Sequence, residues 1–184
     1  HIENLQKFGL TPVVAINHFI KDSAEELAAL KAVCDSYGAR CAIARHWAEG
    51  GAGAEDLARE VQAQLAEAPA AVRLLYPDAM PLAQKIETVA REIYRAEGIA
   101  LSSSAAGSLA EFEKLGYGNL PVCIAKTQYS FTTDPTVRGA PTGHSVPVRE
   151  VRLSAGAGFI VAICGEIMTM PGLPKVPASV HIDL

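Results

Sequence analysis

The sequence predicts an α/β protein with a mostly parallel sheet, flanking helices and long polar loops in its C-terminal third. Short apolar runs without charged residues alternate with stretches whose apolar residues recur every three or four positions. That alternation is the pattern of strands followed by helices. Two stretches rich in Thr, Pro and Gly, over 127–143 and from residue 168 onward, interrupt it and predict long loops.

The chain opens on a stretch typical of the end of a helix. Ile2, Leu5 and Phe8 recur every three residues, and Gly9 stands where a helix C-cap is expected. We therefore expect the chain to begin inside an element, with further protein before it.

A β-α-β-α segment is predicted over 12–66. Its apolar runs are uninterrupted, as in strands covered on both faces, and Ser23 with Glu26 forms a capping-box pattern before the first helix. The expected elements are a strand over 13–17, a helix that begins after Ser23, a strand over 41–44 and a helix over about 55–65.

Helical patterns continue in the middle of the chain. The apolar residues after Pro81 share one helix face, and Gly98 is expected to end that helix. Serines at 102–104 predict the cap of a further helix. We expect two segments: 1–98, with the β-α-β-α unit and this first helix, and 99–184, a smaller α/β segment.

Three more strands are predicted in the second segment, over 121–125, 146–153 and 159–164. The Gly-rich stretch 154–158 lies between two of them and does not open a helix, so it predicts a hairpin turn and not a dinucleotide-binding loop.

Composition narrows the class of function. A net charge of -4 and a pI near 5.7 give no basic face for nucleic acid. The four cysteines form no CxxC pair, the histidines have no metal-ligand spacing, and no apolar stretch is long enough for a bilayer. We expect a cytosolic protein without a metal site, a nucleic-acid partner or a membrane segment.

Two aromatic residues follow the first two strands. Phe19 comes two residues after Asn17, and Trp47 comes three residues after Ala44. Ligands of parallel sheets bind at the carboxyl ends of the strands, and two facing rings would form a slot for a flat heterocycle. The residues alone leave open a second interpretation, in which Phe19 is a core residue and Trp47 packs under a loop.

The Gly-rich stretch over 49–53 precedes a helix and could present N–H groups to an anion. It lacks the Gly-Lys-Ser/Thr of a phosphate loop, so a turn that lets Trp47 approach the helix is the favoured interpretation.

Lys126, Gln128 and Tyr129 follow another strand and form a candidate ligand edge. The apolar, Pro-rich stretch Met168–Lys175 is expected to dock, most simply onto the rest of the fold. No group of residues with a spacing typical of a catalytic site can be recognised in the sequence.

Several longer motifs occur in order along the chain. They are Trp47-Ala-Glu-Gly-Gly51, Gly116-Tyr-Gly-Asn-Leu-Pro121, Ala125-Lys-Thr-Gln-Tyr-Ser-Phe131, Val148-Arg-Glu-Val-Arg-Leu-Ser-Ala-Gly156 and Met168-Thr-Met-Pro-Gly-Leu-Pro-Lys175. Together they resemble the C-terminal portion of formate-tetrahydrofolate ligase, also called 10-formyltetrahydrofolate synthetase, nearly from end to end.

The resemblance implies an enzyme that joins formate to tetrahydrofolate with ATP and Mg²⁺, through formyl phosphate, and that a monovalent cation activates. It implies a homotetramer, as in bacterial members, and an N-terminal part of the same enzyme as partner. It also assigns the pterin ring to a slot between Phe19 and Trp47, with Ile43 lining the pocket.

Two departures from the family pattern matter. Glu49 stands where the family has Lys, which reverses the charge beside the Gly-rich turn. The phosphate loop and the basic residues that hold formyl phosphate have no equivalent in this chain, so we expect the chain alone to be inactive. Two alternatives remain: a non-catalytic interaction or assembly module with the same fold, and a protein that acts on another flat heterocycle.

Overall fold

A computed structural model describes residues 1–67, 71–167, 176 and 180. The chain forms two compact units, His1–Leu75 and Tyr76–Leu184. The predicted docking of Met168–Lys175 falls outside the described residues. In the part of the chain that is described, no helix has the length and apolar character needed to cross a membrane.

Unit 1 holds a parallel pair of strands with helices around it. The pair is in register, with Ile16 of the first strand opposite Ile43 of the second. The β-α-β-α order predicted over 12–66 is confirmed, with two short helical turns inserted after the second strand. The elements are α1 (Ile2–Lys7), β1 (Val13–Asn17), α2 (Ala24–Ser36), β2 (Arg40–Ala44), α3 (His46–Glu49), a 3₁₀ helix (Gly50–Ala54) and α4 (Glu55–Glu67).

Side-chain contacts fix the ends of these elements. The hydroxyl oxygen of Ser23 accepts a hydrogen bond from the backbone N–H of Glu26 at 3.2 Å, and the Glu26 carboxylate accepts one from the Ser23 N–H at 2.9 Å. The capping box predicted from sequence therefore starts α2. Arg40 ties the start of β2 to α4 through ion pairs with Glu60, at 2.9 Å, and with Glu67.

Unit 2 holds a four-stranded mixed sheet in the order β3-β5-β6-β4. β3 runs parallel to β5 and β4 parallel to β6, while β5 and β6 form an antiparallel hairpin around the predicted turn. The fold class predicted from sequence is confirmed. The elements are α5 (Leu82–Glu92), β3 (Gly98–Leu101), α6 (Ser103–Lys114), β4 (Val122–Ala125), β5 (Ser145–Ser154) and β6 (Phe159–Cys164).

The core of unit 2 lies between this sheet and the two helices α5 and α6. A β-bulge between Val148 and Glu150 resets the alternation of β5, so that Val148 and Val151 both point into the core although they are three residues apart. The buried apolar side chains include Leu82, Ile86, Ala90, Leu109, Val146, Val148, Val151, Ile160 and Ala162.

A buried lysine joins α5 to the segment before β4. The Lys85 ammonium donates hydrogen bonds to the carbonyl oxygens of Gly118, at 2.8 Å, and Leu120, at 2.9 Å. Its Nζ also lies 5.7 Å from the centre of the Tyr76 ring. Burial lowers the pKa of Lys85, and the two carbonyls compensate for the loss of water around the ammonium.

The structure corrects one expectation about the middle of the chain. Gly98 does not end a helix: α5 ends at Glu92, and Gly98 begins β3, which is held by pairing with Ser145 far along the chain. The helix also belongs to unit 2, since it packs on β3 and β4. The two compact units divide after Leu75.

Candidate functional site

Phe19 and Trp47 lie next to each other at one edge of unit 1. Their ring centroids are 6.4 Å apart, and the ring planes meet at 58°. Both rings reach solvent, with 51% of Phe19 and 80% of Trp47 exposed. The structure therefore brings together the two aromatic residues singled out from the sequence, in a tilted arrangement, and neither is a buried core residue.

Backbone contacts hold Phe19 beside the end of β2. The N–H of His18 donates to the carbonyl oxygen of Ala44 at 3.0 Å, which joins the ends of the two strands. The N–H of Phe19 donates to the Asp22 carboxylate at 2.7 Å, and the Asp22 N–H donates back to the Phe19 carbonyl at 3.0 Å. A tight turn therefore sets the ring of Phe19 at the carboxyl edge of the sheet.

The Gly-rich stretch positions Trp47. The N–H of Arg45 donates to the carbonyl oxygen of Gly53 at 2.9 Å, which closes a loop with Trp47 inside it. Gly50 has φ +60, a conformation that favours glycine. Glu49, Glu55 and Asp56 put carboxylates around the start of α4, so an anion there would meet like charges. These contacts favour the turn interpretation of the Gly-rich stretch over the anion site.

Unit 1 holds two neighbouring cavities, one of which adjoins Phe19. One of about 480 Å³ is lined by Phe19, and one of about 590 Å³ is lined by Ile43. Both are also lined by Ile16 and Leu27, so they are neighbours across these two side chains. The third residue of the predicted slot, Ile43, lines the larger cavity, which also has charged side chains in its lining: Lys31, Arg45, Asp56, Arg59 and Glu60.

Lys126 is not a surface cation. Its side chain is buried, and its ammonium donates hydrogen bonds to the carbonyl oxygens of Thr127, at 3.0 Å, and Ser130. The ammonium also lies 4.5 Å from the centre of the Tyr94 ring. Burial lowers the pKa of Lys126. In this structure the ammonium of Lys126 holds the loop after β4 from within.

Gln128 and Tyr129, the other two residues of the predicted ligand edge, are exposed on that loop. The guanidinium of Arg138 lies 5.4 Å from the centre of the Tyr129 ring, a favourable cation–π distance. The solvent-facing part of the edge is thus Gln128, Tyr129 and Arg138. Sequence reasoning missed Arg138 because nothing in its local pattern indicates the contact.

Sequence reasoning also missed the surroundings of Lys126. Tyr94 lies 6.2 Å from the ring of Phe131 and faces the lysine. Burial raises the pKa of the Cys164 thiol to about 11, and the nearby Lys126 opposes that shift. These residues come from the segment after α5, the loop after β4 and the end of β6, so only the folded chain brings them together.

The Mg²⁺ implied by the resemblance has no evident place in the described residues. Magnesium prefers carboxylate oxygens, water and phosphate in octahedral geometry. Among the residues that the structure describes, no three His, Cys, Asp or Glu side chains converge to hold a metal ion.

Comparison with known proteins agrees with the motifs. A family model described as formate-tetrahydrofolate ligase matches residues 1–184. The chain is 62% identical to the formate-tetrahydrofolate ligase of Methylobacterium sp. (strain 4-46), 56% to that of Maricaulis maris and 55% to that of Roseobacter denitrificans. Each match covers 100% of this chain and 33% of the relative, so the chain spans about a third of their length. The chain belongs to the formate-tetrahydrofolate ligase family.

Proposed function

We propose that the chain is the C-terminal, folate-binding part of a ligase that joins formate to tetrahydrofolate, with the pterin ring held between Phe19 and Trp47. The observation that carries the proposal is the pair of exposed rings at the carboxyl edge of β1 and β2. In parallel sheets this edge is where ligands bind. Ile43 lines a cavity that shares Ile16 and Leu27 with the cavity beside Phe19.

The geometry of the pair suits a ring that is inserted and then clamped. A flat heterocycle between two parallel rings needs about 7 Å between their planes, since each stacking contact takes about 3.5 Å. The centroids lie 6.4 Å apart with the planes at 58°, so binding requires the rings to become parallel and to move apart by about 0.6 Å. Because both side chains are exposed, rotation about their side-chain bonds is fast.

The steps that involve ATP and formyl phosphate belong elsewhere in the proposed enzyme. The 184 residues contain no Gly-Lys-Ser/Thr phosphate loop, and such loops hold the phosphates and Mg²⁺ in enzymes that use them. The chain by itself therefore binds tetrahydrofolate without turnover. Formation of 10-formyltetrahydrofolate by the purified chain with ATP, Mg²⁺, formate and a monovalent cation would contradict this part of the proposal.

Exposed apolar residues favour attachment of unit 1 to further protein. Leu30 and Val33 on α2 and Ile20 after β1 are exposed, which is unfavourable unless another surface covers them. The proposed partners are the N-terminal part of the same enzyme and further subunits of a homotetramer. The cysteines are all free, as expected for an enzyme that works in the cytosol.

Tetrahydrofolate titration of the folded chain tests the slot directly. Trp47 is the only tryptophan, so its emission reports on the slot alone. Stacking of a pterin on the ring should quench the emission with a saturable dependence on ligand concentration. Unchanged emission at millimolar tetrahydrofolate, in a sample with native circular dichroism, would overturn the slot.

A non-catalytic interaction module is the second candidate, and the same exposed apolar residues on α2 favour it. The gene distinguishes the two candidates. A reading frame that continues upstream with a Gly-Lys-Ser/Thr loop supports the ligase, whereas a start codon near His1 supports the module. Restoration of ligase activity on mixing this chain with the upstream part would exclude the module.

A further inference from the structure

The backbone of β2 bonds to β1 through alternate residues only. The N–H of His18 donates to the carbonyl oxygen of Ala44 at 3.0 Å, and the two strands are in register. In a parallel pair the N–H and C=O of one residue point to one side of the strand, and those of the next residue point to the other side. Ala42 and Ala44 therefore bond to β1, and the backbone groups of Cys41 and Ile43 point away from it.

These outward-pointing groups form a free strand edge. Among the residues that the structure describes, Cys41 and Ile43 have no hydrogen-bond partner on that side. The next outward-pointing residue, Arg45, donates its N–H to the carbonyl oxygen of Gly53 at 2.9 Å. The free edge is thus limited to the middle of β2, and the loop that carries Trp47 closes it at one end.

The cavity of about 590 Å³ lies along this free edge. Cys41, Ala42 and Ile43 all line it. Side chains of successive strand residues point to opposite faces of a sheet, so a cavity lined by three residues in a row runs along the edge of the strand. It also reaches Ile16 of β1. The helices α2 and α4 supply most of the remaining lining: Ala24, Leu27, Ala28, Lys31, Asp56, Arg59 and Glu60.

The helix α4 has an apolar face that the structure leaves uncovered. It packs mainly on β2, yet none of its side chains is buried. Val61 and Leu65, one turn apart on the same face, are exposed. Such a face normally covers an apolar surface. A further strand beside β2 would extend the sheet on which α4 packs.

Two parallel strands are also too few for a sheet of this kind. Parallel sheets are covered on both faces and usually have four to six strands, about the common number for sheets in general. An unpaired strand edge binds another extended segment through its backbone groups. The chain spans about a third of the length of its relatives, so most of the proposed enzyme lies outside it.

We propose that an extended segment from the part of the enzyme outside this chain binds along β2 as a third strand. Its backbone bonds to the N–H and C=O groups of Cys41 and Ile43. The lining from α2 is apolar apart from Lys31, whereas the lining from α4 is charged, so a segment with alternating apolar and polar side chains fits. The third strand rests on the proposed function only in that the chain is taken as part of a longer ligase.

Hydrogen exchange at single-residue resolution in the full-length enzyme tests the third strand. Ala42 and Ala44 are the internal controls, since their amides bond to β1. The amides of Cys41 and Ile43 should exchange as slowly as these two, and about a hundredfold slower than in an unstructured peptide. Fast exchange at Cys41 and Ile43 beside slow exchange at Ala42 would overturn the proposal.

Photo-crosslinking in the full-length enzyme identifies the segment. Arg59, which lines the cavity and is exposed, is replaced by p-benzoylphenylalanine. Gln62, an exposed residue of α4 outside the lining, is replaced in the same way as the control. The Arg59 variant should link to a peptide of the same subunit outside residues 1–184, and the control should not. The same replacement at Lys31 is the second probe if the Arg59 variant does not fold.

Two other occupants would overturn the proposal. A cross-link within residues 1–184 would mean that this chain fills its own groove. A cross-linked product of doubled mass on a denaturing gel would mean that a second subunit fills it.

The third strand and the proposed function fail separately. An enzyme that joins formate to tetrahydrofolate, but in which the Cys41 amide exchanges freely, would overturn the third strand alone. A protected Cys41 amide in a full-length protein without ligase activity would overturn the proposed function alone.

Discussion

The α-carbon of Gly53 lies directly against the backbone of Arg45. A Cβ atom on Gly53 would sit 2.5 Å from the carbonyl carbon of Arg45 and 2.6 Å from its oxygen. The same two residues are joined by the hydrogen bond that closes the loop around Trp47. Any side chain at position 53 must therefore open this loop.

Gly53→Ala should destabilise unit 1 by about 1–3 kcal/mol, the range for forcing extra atoms into a packed site. It should also shift Trp47 emission, because the indole lies inside the loop. Urea unfolding followed by that emission measures both effects. Gly51→Ala is the matched control, since nothing lies within 4 Å of its Cβ. Equal stability of the two variants would show that the close approach does not matter.

Phe19→Ala should weaken tetrahydrofolate binding by about tenfold, since it removes both the stacking and the buried area of one ring. Its effect on folding should be small, because half of the ring is already exposed. Fluorescence titration gives the affinity, and thermal unfolding gives the stability. Tyr129→Ala, which removes an exposed ring in unit 2, should bind as the unaltered chain does. An unchanged affinity in Phe19→Ala would count against the slot.

Lys126→Met should loosen the loop after β4. The substitution keeps most of the side-chain volume but leaves the carbonyls of Thr127 and Ser130 without their donor, at a cost of about 1–3 kcal/mol. Chymotrypsin should then cut after the exposed Tyr129 several times faster. Lys114→Met, at the exposed end of α6, is the control. Equal cleavage rates would mean that the buried ammonium does not hold the loop.

Cys164 should make the chain less stable at alkaline pH. Its pKa is raised by burial to about 11 from an ordinary 9.0, so the folded state keeps the thiol proton where the unfolded chain loses it. The stabilising contribution is complete below pH 9 and is lost as the pH rises to 11. Its size is at most about 3 kcal/mol, since each pKa unit corresponds to about 1.4 kcal/mol. Lys126 contributes with the opposite sign, because its pKa is lowered.

Urea unfolding at pH 8.5, 9.5 and 10.5 measures that slope. Cys164→Ala removes the thiol, so its free energy of unfolding should fall less steeply with pH than that of the unaltered chain. Its overall stability will be lower at every pH because of the smaller side chain. Parallel curves for the two proteins would contradict the assignment of the slope to Cys164.

Most of the fold could be predicted from patterns among residues that are close together in the chain. β1 has the predicted bounds, and α2 begins at the predicted capping box, because both depend on residues close together in the chain. Gly98 was wrong as a helix end because β3 has only four residues and is held by a partner strand 47 positions away. Short strands of this kind leave no periodic pattern.

The candidate site could likewise be predicted only in part. Strand ends placed Phe19 and Trp47 at one edge, because parallel neighbours end on the same side. The pattern could not give the 58° tilt of the rings, which depends on the two turns that carry them. Nor could it give the direction of the Lys126 side chain, since burial and the distant Tyr94 decide it.

The buried ammonium of Lys85 makes one cooperative unit of two segments that are 33 positions apart. If α5 separated from the segment before β4, the lysine would lose both of its carbonyl partners while other core contacts still kept water away. An unpaired buried charge costs several kcal/mol, so a partial opening of this kind is rarely populated. Backbone amides in α5 and in the start of β4 should therefore exchange with solvent in a single shared opening, and not one segment before the other.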